Sequence, residues 1–247
     1  MAKATETWKS ERLGREVKVV RWGEEGTPVL LFPTAGGDAE EIERFWMIDV
    51  LKHLLEQKRI KIYSCDSTAG QALLAESNKV AHAARAQQRF DAFVYHELVP
   101  LIRRDCKNPA AEVVAAGASI GAYQSLAAVC RHPDVFKLAI CMSGTYDLIK
   151  FMDGEANADH HHNTPSRFLK DLPEGPHLDQ LRKRYVLLVH GKGKAEEPAQ
   201  SWRVADVLGS RRIPNRVVEW GEEWPHDWTT WRKMLPLYLD ELIPKPA

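Results

Sequence analysis

The sequence predicts an α/β fold of three layers, with helices on both faces of a mostly parallel sheet. Over its 247 residues, apolar runs of strand length alternate with amphipathic runs of helix length. This alternation is typical of a parallel sheet with crossover helices. Two of the apolar runs, "AEVVAAGAS" and "KLAICMSG", contain almost no polar residue. Strands of this kind are buried on both faces, so helices are expected to cover both sides of the sheet.

The first half of the chain is predicted to begin with two strands. "EVKVVRW" is a half-exposed strand, and "TPVLLFPTAGG" is a short buried strand that ends in turn residues. One helix is predicted over "AEEIERFWMIDVLKHLLEQKR", because its apolar residues recur at the helical period. The residues on that face are Ile42, Phe45, Trp46, Val50, Leu51 and Leu54. The strand "RIKIYSCDS" and a long helical stretch that ends in "FDAFVYHELVPLIRRDC" follow.

The second half continues the same alternation. After "AEVVAAGAS", the helix "AYQSLAAVCRHP" ends at Pro133, and the strands "KLAICMSG", "RYVLLVHG" and "NRVVEW" follow. The helix "EEPAQSWRVADVLGSRRIP" has Pro198 near its start, where proline is tolerated, and "DWTTWRKMLPLYLDELI" is the last helix. The irregular stretch at residues 153–175 is long for a connection, so we expect a loop or small lid there. Residues 1–247 are predicted to form a single domain.

The charge balance argues against polyanionic partners. Lys plus Arg and Asp plus Glu are both 34, and the charges are interspersed, so neither nucleic acid nor a membrane is an expected partner. No apolar window approaches the roughly 18 residues of a membrane span, and the first residues lack the apolar stretch of a secretory signal. We therefore expect a cytoplasmic protein with free thiols, and a homo-oligomer is left open. The four cysteines are Cys65, Cys106, Cys130 and Cys141.

A candidate nucleophile lies in "GASIG", between an apolar strand and a helix. In this G-x-S-x-G pattern, Gly117 and Gly121 allow a sharp turn that lifts the hydroxyl of Ser119 above the carboxyl end of the sheet. Ligands of open parallel sheets bind at that edge. The turn also places the N–H of Ile120 at a helix N-terminus, where it would stabilise a developing oxyanion. The five-residue pattern also occurs by chance, so a simple packing turn is the alternative.

His226 is the candidate base among the ten histidines. It lies in "GEEWPHDW", after the last strand, in a loop that can project an imidazole across the sheet edge toward Ser119. An acid that orients the imidazole is expected between them, in the chain order Ser, acid, His. The strand end "LLVHGKGKAEEP" offers Glu196 and Glu197. One of the two would face the site, and the other would be solvated in the first helical turn.

A second oxyanion donor is expected from "FPTAGG", the loop after the early buried strand. Pro33 has no N–H, so Thr34, Ala35 or Gly36 must supply the donor. We favour Ala35, with Thr34 next. The alternative interpretation is that the segment only forms a turn before the next helix.

Three consecutive histidines in "DHHHN" invite a metal-site hypothesis. Neighbouring side chains of an extended loop point in different directions, and no H-E-x-x-H motif or carboxylate triad accompanies them. No metal and no other cofactor is therefore expected. We interpret the segment as a polar loop near the entrance of the cleft, and Trp228 and Trp231 as core residues of the last helix. The histidines are His160, His161 and His162.

The segments "GASIGA", "HGKGKAEEP", "EEWPHDWTTW" and "LLFPTAGGDAEE" together resemble the "putative esterase" (esterase D-like) branch of the α/β-hydrolase superfamily. The resemblance extends from about Val19 to Leu239, and the His-Asp-Trp triplet followed by a second Trp is its most specific motif. It implies Ser119 as nucleophile and His226 as base. Relatives with a G-x-G-x-x-E spacing have their acid where Glu196 stands, which we favour, whereas relatives with a longer loop point to Glu197.

The leading hypothesis is a serine esterase that cleaves a small-molecule ester through an acyl-enzyme. An acyltransferase with an alcohol or sugar acceptor would use the same triad, and a non-catalytic binding protein would keep only the fold. The sequence leaves the acyl and alcohol parts of the substrate and the substrate-binding residues unassigned.

Overall fold

An eight-stranded sheet forms the centre of the computed structural model, which describes residues 2–74, 80–148, 161 and 163–245. The strand order is β1-β2-β4-β3-β5-β6-β7-β8. Strand β2 is antiparallel to β1 and β4, and the strands from β4 to β8 in this order are mutually parallel. The predicted α/β fold with a mostly parallel sheet is confirmed. The strands are β1 Lys3–Lys9, β2 Glu16–Trp22, β3 Thr27–Phe32, β4 Ile60–Cys65, β5 Val113–Ala118, β6 Phe136–Met142, β7 Tyr185–His190 and β8 Asn215–Glu219.

Helices pack on both faces of this sheet and bury two apolar cores. One core lies under α1–α3 and α11, and the other lies under α4–α10. The helices among the described residues are α1 Glu41–Arg44, α2 Met47–Val50, α3 Lys52–Glu56, α4 Thr68–Leu74, α5 Val80–Phe93, α6 Val99–Asp105, α7 Ile120–Arg131, α8 Pro165–Asp171, α9 Pro176–Leu181, α10 Pro198–Ser210 and α11 Trp228–Leu242; a π-helical turn, Val94–Leu98, joins α5 to α6.

The register brings the carboxyl ends of the parallel strands to one edge. Phe32 of β3 lies opposite Gly117 of β5, and Ala118 lies opposite Met142 of β6. His190 of β7 lies opposite Glu219 of β8. The segments that follow these strands contain every candidate site residue of the sequence analysis, so the topology places all of them at this edge.

The single helix predicted after β3 is wrong, because the chain forms three short helices there. Trp46 adopts φ 57° between α1 and α2, and Phe45 and Trp46 are 39% and 60% exposed rather than buried on the helix face. Contacts with α11 account for the break. Arg232 donates a hydrogen bond of 3.0 Å to the carbonyl of Phe45 and lies over the Trp46 ring, and Phe45 stacks on Trp228. Tertiary contacts therefore override the helical pattern.

Two further elements differ from the prediction. Strand β1 was not predicted, because its residues are mostly polar. It pairs with β2 along its whole length, and Trp8 Nε1 donates a 2.9 Å hydrogen bond to Glu97. The stretch at residues 153–175 is not irregular throughout, since α8 begins at Pro165, a position suited to proline, and buries Leu169. Residues 153–160 and 162 lie outside the described residues.

None of the helices in the described ranges combines the length and the apolar character needed to cross a bilayer.

Candidate active site

Ser119 occupies a sharp turn between β5 and α7. Its backbone has φ 57° and ψ −119°, a conformation that is uncommon for a residue with a side chain and that concentrates at functional sites. The flanking glycines permit the turn. A Cβ on Gly117 would lie 2.4 Å from the carbonyl of Gly121, and a Cβ on Gly121 would lie 2.5 Å from the carbonyl oxygen of Phe32. The predicted strand–turn–helix geometry is therefore present.

Backbone hydrogen bonds tie this turn to the end of β6. The N–H of Ser119 donates to the carbonyl of Met142 at 3.0 Å, and the carbonyl of Ser119 accepts from the N–H of Thr145 at 3.2 Å. Held on both sides, Ser119 has a fixed position at the sheet edge.

Ser119 and His226 line one cavity of about 200 Å³. Ser119 follows β5 and His226 follows β8, and the remaining lining comes from the segments after β6 and β7, so four strand ends contribute to one site. The other lining residues are Ser143, Gly144, Thr145, Ala195 and Glu197.

The imidazole of His226 lies next to the carboxylate of Glu196. Nδ1 of His226 is 3.8 Å from Oε2 of Glu196, and the Glu196 side chain is only 2% exposed. This separation is longer than a hydrogen bond. The His226 ring also meets the Trp231 ring edge to face, with 5.1 Å between centroids. One side of the imidazole is thus fixed by a buried carboxylate and an aromatic ring.

The other carboxylate oxygen of Glu196 is held by Ser143. Ser143 Oγ donates a 2.5 Å hydrogen bond to Oε1 of Glu196 and accepts a 2.9 Å hydrogen bond from Nε1 of Trp231. Ser143 directly follows β6 and has φ 46°. A chain of three side chains therefore fixes the orientation of the carboxylate that faces His226.

Glu197 has a different environment. It is exposed and immediately precedes α10, and its carboxylate accepts a hydrogen bond from Nε2 of Gln200. Gln200 in turn accepts from the N–H groups of Tyr146 and Asp147 at 2.6 and 2.9 Å. Glu197 lines the cavity from the helix side, whereas Glu196 points into the protein beneath His226.

The loops that carry Glu196 and His226 are bonded to each other. The N–H of His226 donates to the carbonyl of Lys194 at 3.0 Å, and the N–H of Gly193 donates to the carbonyl of Trp224 at 3.1 Å. Gly191 makes the approach possible, since a Cβ there would lie 1.9 Å from the oxygen of Trp224. The two loops therefore position their side chains as one unit.

The loop after β3 is anchored by Glu41. Oε2 of Glu41 accepts the N–H of Thr34 at 2.8 Å, and Oε1 accepts the Thr34 hydroxyl at 2.6 Å. Burial raises the pKa of the Glu41 carboxyl, although the two hydrogen bonds from Thr34 act in the opposite direction. Since the Thr34 N–H is already bonded, Ala35 and Gly36 are the better candidates for an oxyanion donor. Ile120 begins α7, where the N–H has no acceptor within the helix.

Helix α4 supports the same loop from behind. The backbone N–H of Ser67 and Nε2 of Gln71 both donate to the carbonyl of Gly37 at 3.2 Å. A Cβ on Gly70 would lie 2.5 Å from the oxygen of Ala35, so the helix backbone contacts the loop directly.

The other residues singled out in the sequence have simpler surroundings. Nε2 of His161 lies 3.0 Å from a carboxylate oxygen of Asp171, and His160 and His162 lie outside the described residues. Trp231 is buried in a core, as predicted, and Trp228 packs against that core. The described cysteines are free thiols; Cys65, Cys130 and Cys141 are buried, and Cys106 is partly buried.

Sequence reasoning missed Ser143 and Glu41. Ser143 follows a buried strand in "CMSG", and this position at the carboxyl end of β6 is the signal that could have marked it. Glu41 lies within a segment read as a plain amphipathic helix. Its contact with Thr34 depends on how the loop folds back, and no local pattern indicates it.

Comparison with known proteins now identifies the family. Residues 56–242, well over half of the chain, match the family model described as "Putative esterase". Comparison with curated proteins gave no significant match. Among solved structures, the chain is similar to a ferulic acid esterase, with a TM-score of 0.76 and 15% identity over 98% of this chain and 97% of that chain.

Two S-formylglutathione hydrolases are also similar in structure. The enzyme from Staphylococcus aureus has a TM-score of 0.73 and 14% identity, over 98% of this chain and 99% of that chain. The enzyme from Agrobacterium tumefaciens has a TM-score of 0.74 and 13% identity, over 97% of this chain and 93% of that chain. At such identities the likeness shows the α/β-hydrolase fold, and the family match shows the class of activity. The chain therefore has the α/β-hydrolase fold, belongs to the family described as "Putative esterase" and is a carboxylic ester hydrolase.

Proposed function

We propose that the protein is a serine esterase in which Ser119, His226 and Glu196 act as nucleophile, base and acid. One arrangement carries the proposal. Ser119, on a strained turn, and His226 line the same cavity, and the buried carboxylate of Glu196 lies 3.8 Å from Nδ1 of His226. Glu196 is preferred over Glu197 because its carboxylate is buried beneath the imidazole and held by Ser143.

In the acylation step, Oγ of Ser119 attacks the carbonyl carbon of the ester, and Nε2 of His226 accepts the hydroxyl proton. Glu196 stabilises the imidazolium that forms. The carbonyl oxygen becomes an oxyanion, which the N–H groups of Ile120 and Ala35 stabilise. When the tetrahedral intermediate collapses, the alcohol oxygen leaves with the proton from His226. An ester between Ser119 and the acyl group remains.

Deacylation repeats the sequence with water. His226 accepts a proton from water, the resulting hydroxyl attacks the acyl carbon, and the oxyanion forms in the same place. Collapse breaks the bond to Oγ of Ser119, which recovers its proton from His226. One ester and one water thus give one acid and one alcohol, and His226 carries every proton transfer.

The choice of Ala35 as second donor follows from the loop after β3. The N–H of Thr34 is bonded to Glu41, which leaves Ala35 and Gly36. The close packing of Gly70 against Ala35 holds the backbone at that residue. A donor fixed before the reaction stabilises an oxyanion better than one that must reorganise.

Steady-state hydrolysis of p-nitrophenyl butyrate tests the proposal. Ser119→Ala and His226→Ala are each expected to lower kcat by about 10⁴-fold or more, and the double variant should be no worse than either, since triad members act as a unit. His53→Gln, an exposed histidine on α3, is the control and should keep the parental rate. Parental turnover by Ser119→Ala would refute the proposal.

A further inference from the structure

A second cavity lies at the carboxyl edge of the sheet and shares no lining residue with the candidate active site. It has a volume of about 560 Å³ and lies between the turn before β2, helix α4 and helix α5. Cavities of this size hold small-molecule ligands. Its polar lining residues are Arg15, Thr68, Gln71, Arg85 and Arg89, and we refer to it as the arginine pocket.

The charged residues described in the lining of the arginine pocket are all arginines. Arg85 and Arg89 are four residues apart on α5 and share a face, where like charges destabilise a helix, and Arg15 reaches the cavity from the turn before β2. Within the described ranges, no Asp or Glu lines the pocket and none of the three arginines forms an ion pair. By contrast, Arg184 pairs with Glu112 at 2.7 Å. Among the described residues, the pocket thus collects positive charge without a counter-charge.

Thr68 lies in the wall of the arginine pocket. It lines the same pocket and is only 8% exposed, and its Oγ1 is buried without a hydrogen-bond partner among the described residues. Buried polar atoms are nearly always paired, because an unpaired one loses its hydration without replacement. The Oγ1 atom is not accessible from the cavity, so the three arginines, and not this hydroxyl, would contact a bound anion.

The arginine pocket adjoins the loop that contains the proposed oxyanion donor. Gln71 lines the pocket, and its Nε2 also donates to the carbonyl of Gly37. Strand β4, which precedes α4, lies two positions from β5 in the sheet, a separation of about 10 Å at the usual strand spacing. A small molecule bound in the pocket would therefore lie beside the proposed site.

We propose that the arginine pocket binds the anionic group of a phosphate- or carboxylate-bearing small molecule. The guanidinium group stays charged at physiological pH and donates paired hydrogen bonds that match both oxyanion geometries. The pocket itself does not depend on the proposed triad. Only the question of whether the anion is part of the ester substrate rests on the proposed function.

Calorimetric titration with inorganic pyrophosphate tests the pocket directly. The Ser119→Ala variant is the parent in this experiment, so that binding is measured without turnover. Arg85→Gln/Arg89→Gln in this background should weaken pyrophosphate binding at least about 10-fold, because two charge-assisted contacts are lost. Lys183→Gln/Lys233→Gln is the matched control. It removes the same charge at exposed positions away from the pocket and should bind like the parent.

Either of two results would overturn the proposal. One is the absence of saturable pyrophosphate binding to the parent at low ionic strength. The other is equal weakening in the arginine and lysine double variants, which would show a general charge effect. Circular dichroism of both variants is the check that each remains folded.

Two esters of equal acyl length then distinguish the source of the anion. If the anion belongs to the substrate, Arg85→Gln/Arg89→Gln in the active enzyme should raise KM for the mono-p-nitrophenyl ester of suberate and leave that for p-nitrophenyl octanoate unchanged. If it belongs to a separate effector, added pyrophosphate should change octanoate turnover in the active enzyme with both arginines and not in active Arg85→Gln/Arg89→Gln. If the unsubstituted enzyme hydrolysed neither ester, the proposed function would be contradicted. The pyrophosphate titration would still show whether the arginine pocket binds an anion.

Discussion

The hydroxyl of Ser143 donates a 2.5 Å hydrogen bond to Oε1 of Glu196, while Oε2 of the same carboxylate lies 3.8 Å from Nδ1 of His226. Trp231 donates to the same hydroxyl and also packs its ring against His226. Ser143 and Trp231 are therefore positioning residues for the proposed acid and base, since both act through Glu196 and His226.

Ser143→Ala should lower kcat by about 10-fold to 100-fold with little change in KM, because small displacements of a catalytic group have effects of this size. It also leaves the buried N–H of Trp231 without an acceptor, which should cost about 1–3 kcal/mol of unfolding free energy. Steady-state kinetics and urea unfolding measure the two effects. Ser143→Cys, which keeps a hydrogen-bond donor of similar size without a branch at Cβ, is the control and should recover part of kcat. An unchanged kcat in Ser143→Ala would show that Glu196 needs no positioning.

Replacing the two neighbouring glutamates separates their roles. Glu196→Gln should lower kcat by about 10³- to 10⁴-fold, because an amide behind the imidazole favours the wrong tautomer and does not stabilise the imidazolium. Glu197→Gln should stay close to the parental kcat, since Glu197 is exposed and bonded to Gln200. The two variants differ by one position and carry the same chemical change. A larger loss in Glu197→Gln would assign the acid to Glu197.

Glu41 should influence both the loop after β3, which contains the proposed oxyanion donor, and the pH dependence of stability. Glu41→Ala is expected to lower kcat by about 10-fold, less than the roughly 10²-fold cost of losing an oxyanion donor, because Thr34 loses its anchor while the donor remains. Glu41→Gln keeps an acceptor for the Thr34 N–H and should stay near the parental kcat. Equal losses in both variants would contradict an anchoring role.

The pKa of Glu41 is raised, mainly by burial, and this predicts the direction in which stability changes with pH. Its contribution to stability is full below the unfolded pKa of about 4.3 and is lost as the pH rises through the folded pKa. The side chain in Glu41→Gln cannot ionise, so this variant does not lose stability in this way as the pH rises. Its unfolding free energy should therefore improve relative to the parent between pH 4 and about pH 7 in urea titrations. A constant difference over this range would refute the raised pKa.

Asp105 should stabilise the fold because its carboxylate is the counter-charge of the buried Lys61 ammonium group. Its carboxylate lies 2.5 Å from Nζ of Lys61, whose side chain is 3% exposed, and it also pairs with Arg21 and accepts from the Tyr63 hydroxyl. Partial burial raises the pKa of Asp105, but the bonds from Lys61 and Tyr63 lower it by more, so the net pKa is below the usual value. Asp105→Asn leaves Lys61 without its main counter-charge and should cost about 3 kcal/mol at neutral pH.

The cost of Asp105→Asn should fade in acid. A lowered folded pKa gives stability that is present above the unfolded value of about 3.9 and lost as the pH falls through the folded pKa. Urea unfolding of parent and variant at pH 7 and at pH 3 measures the change. Asp134→Asn, at an exposed position that accepts from Tyr95, is the control and should have little effect at either pH. A pH-independent cost for Asp105→Asn would contradict the ionic role.

The sequence was enough to predict which loops form the candidate site. Apolar strands such as β5 specify a parallel sheet, and parallel strands place their carboxyl ends at one edge. Ser119, Glu196 and His226 each follow such an end, so their proximity follows from topology. Gly117 and Gly121 marked the turn because only glycine tolerates the close backbone approach found there.

Features that depend on contacts between distant residues could not be predicted from local sequence patterns. The orientation of Glu196 depends on a positive φ at Ala195 and on the hydrogen bond from Ser143, and neither can be read from two adjacent glutamates. The break at Trp46 depends on Arg232, which is far away in the chain. Glu41 is buried because its carboxylate folds back onto Thr34, although its spacing suits an ordinary helix.

Covalent labelling with a fluorophosphonate is the sharpest test of Ser119 as the nucleophile, because the probe reports the reacting atom itself. Ser119 lies in the tryptic peptide of residues 108–131, which also contains Ser125, so fragment-ion sequencing must locate the adduct. We expect one phosphonyl group on Ser119, no label on Ser119→Ala, and slower labelling of Glu196→Gln than of Glu197→Gln. An adduct on another residue, or parental labelling of Ser119→Ala, would contradict it.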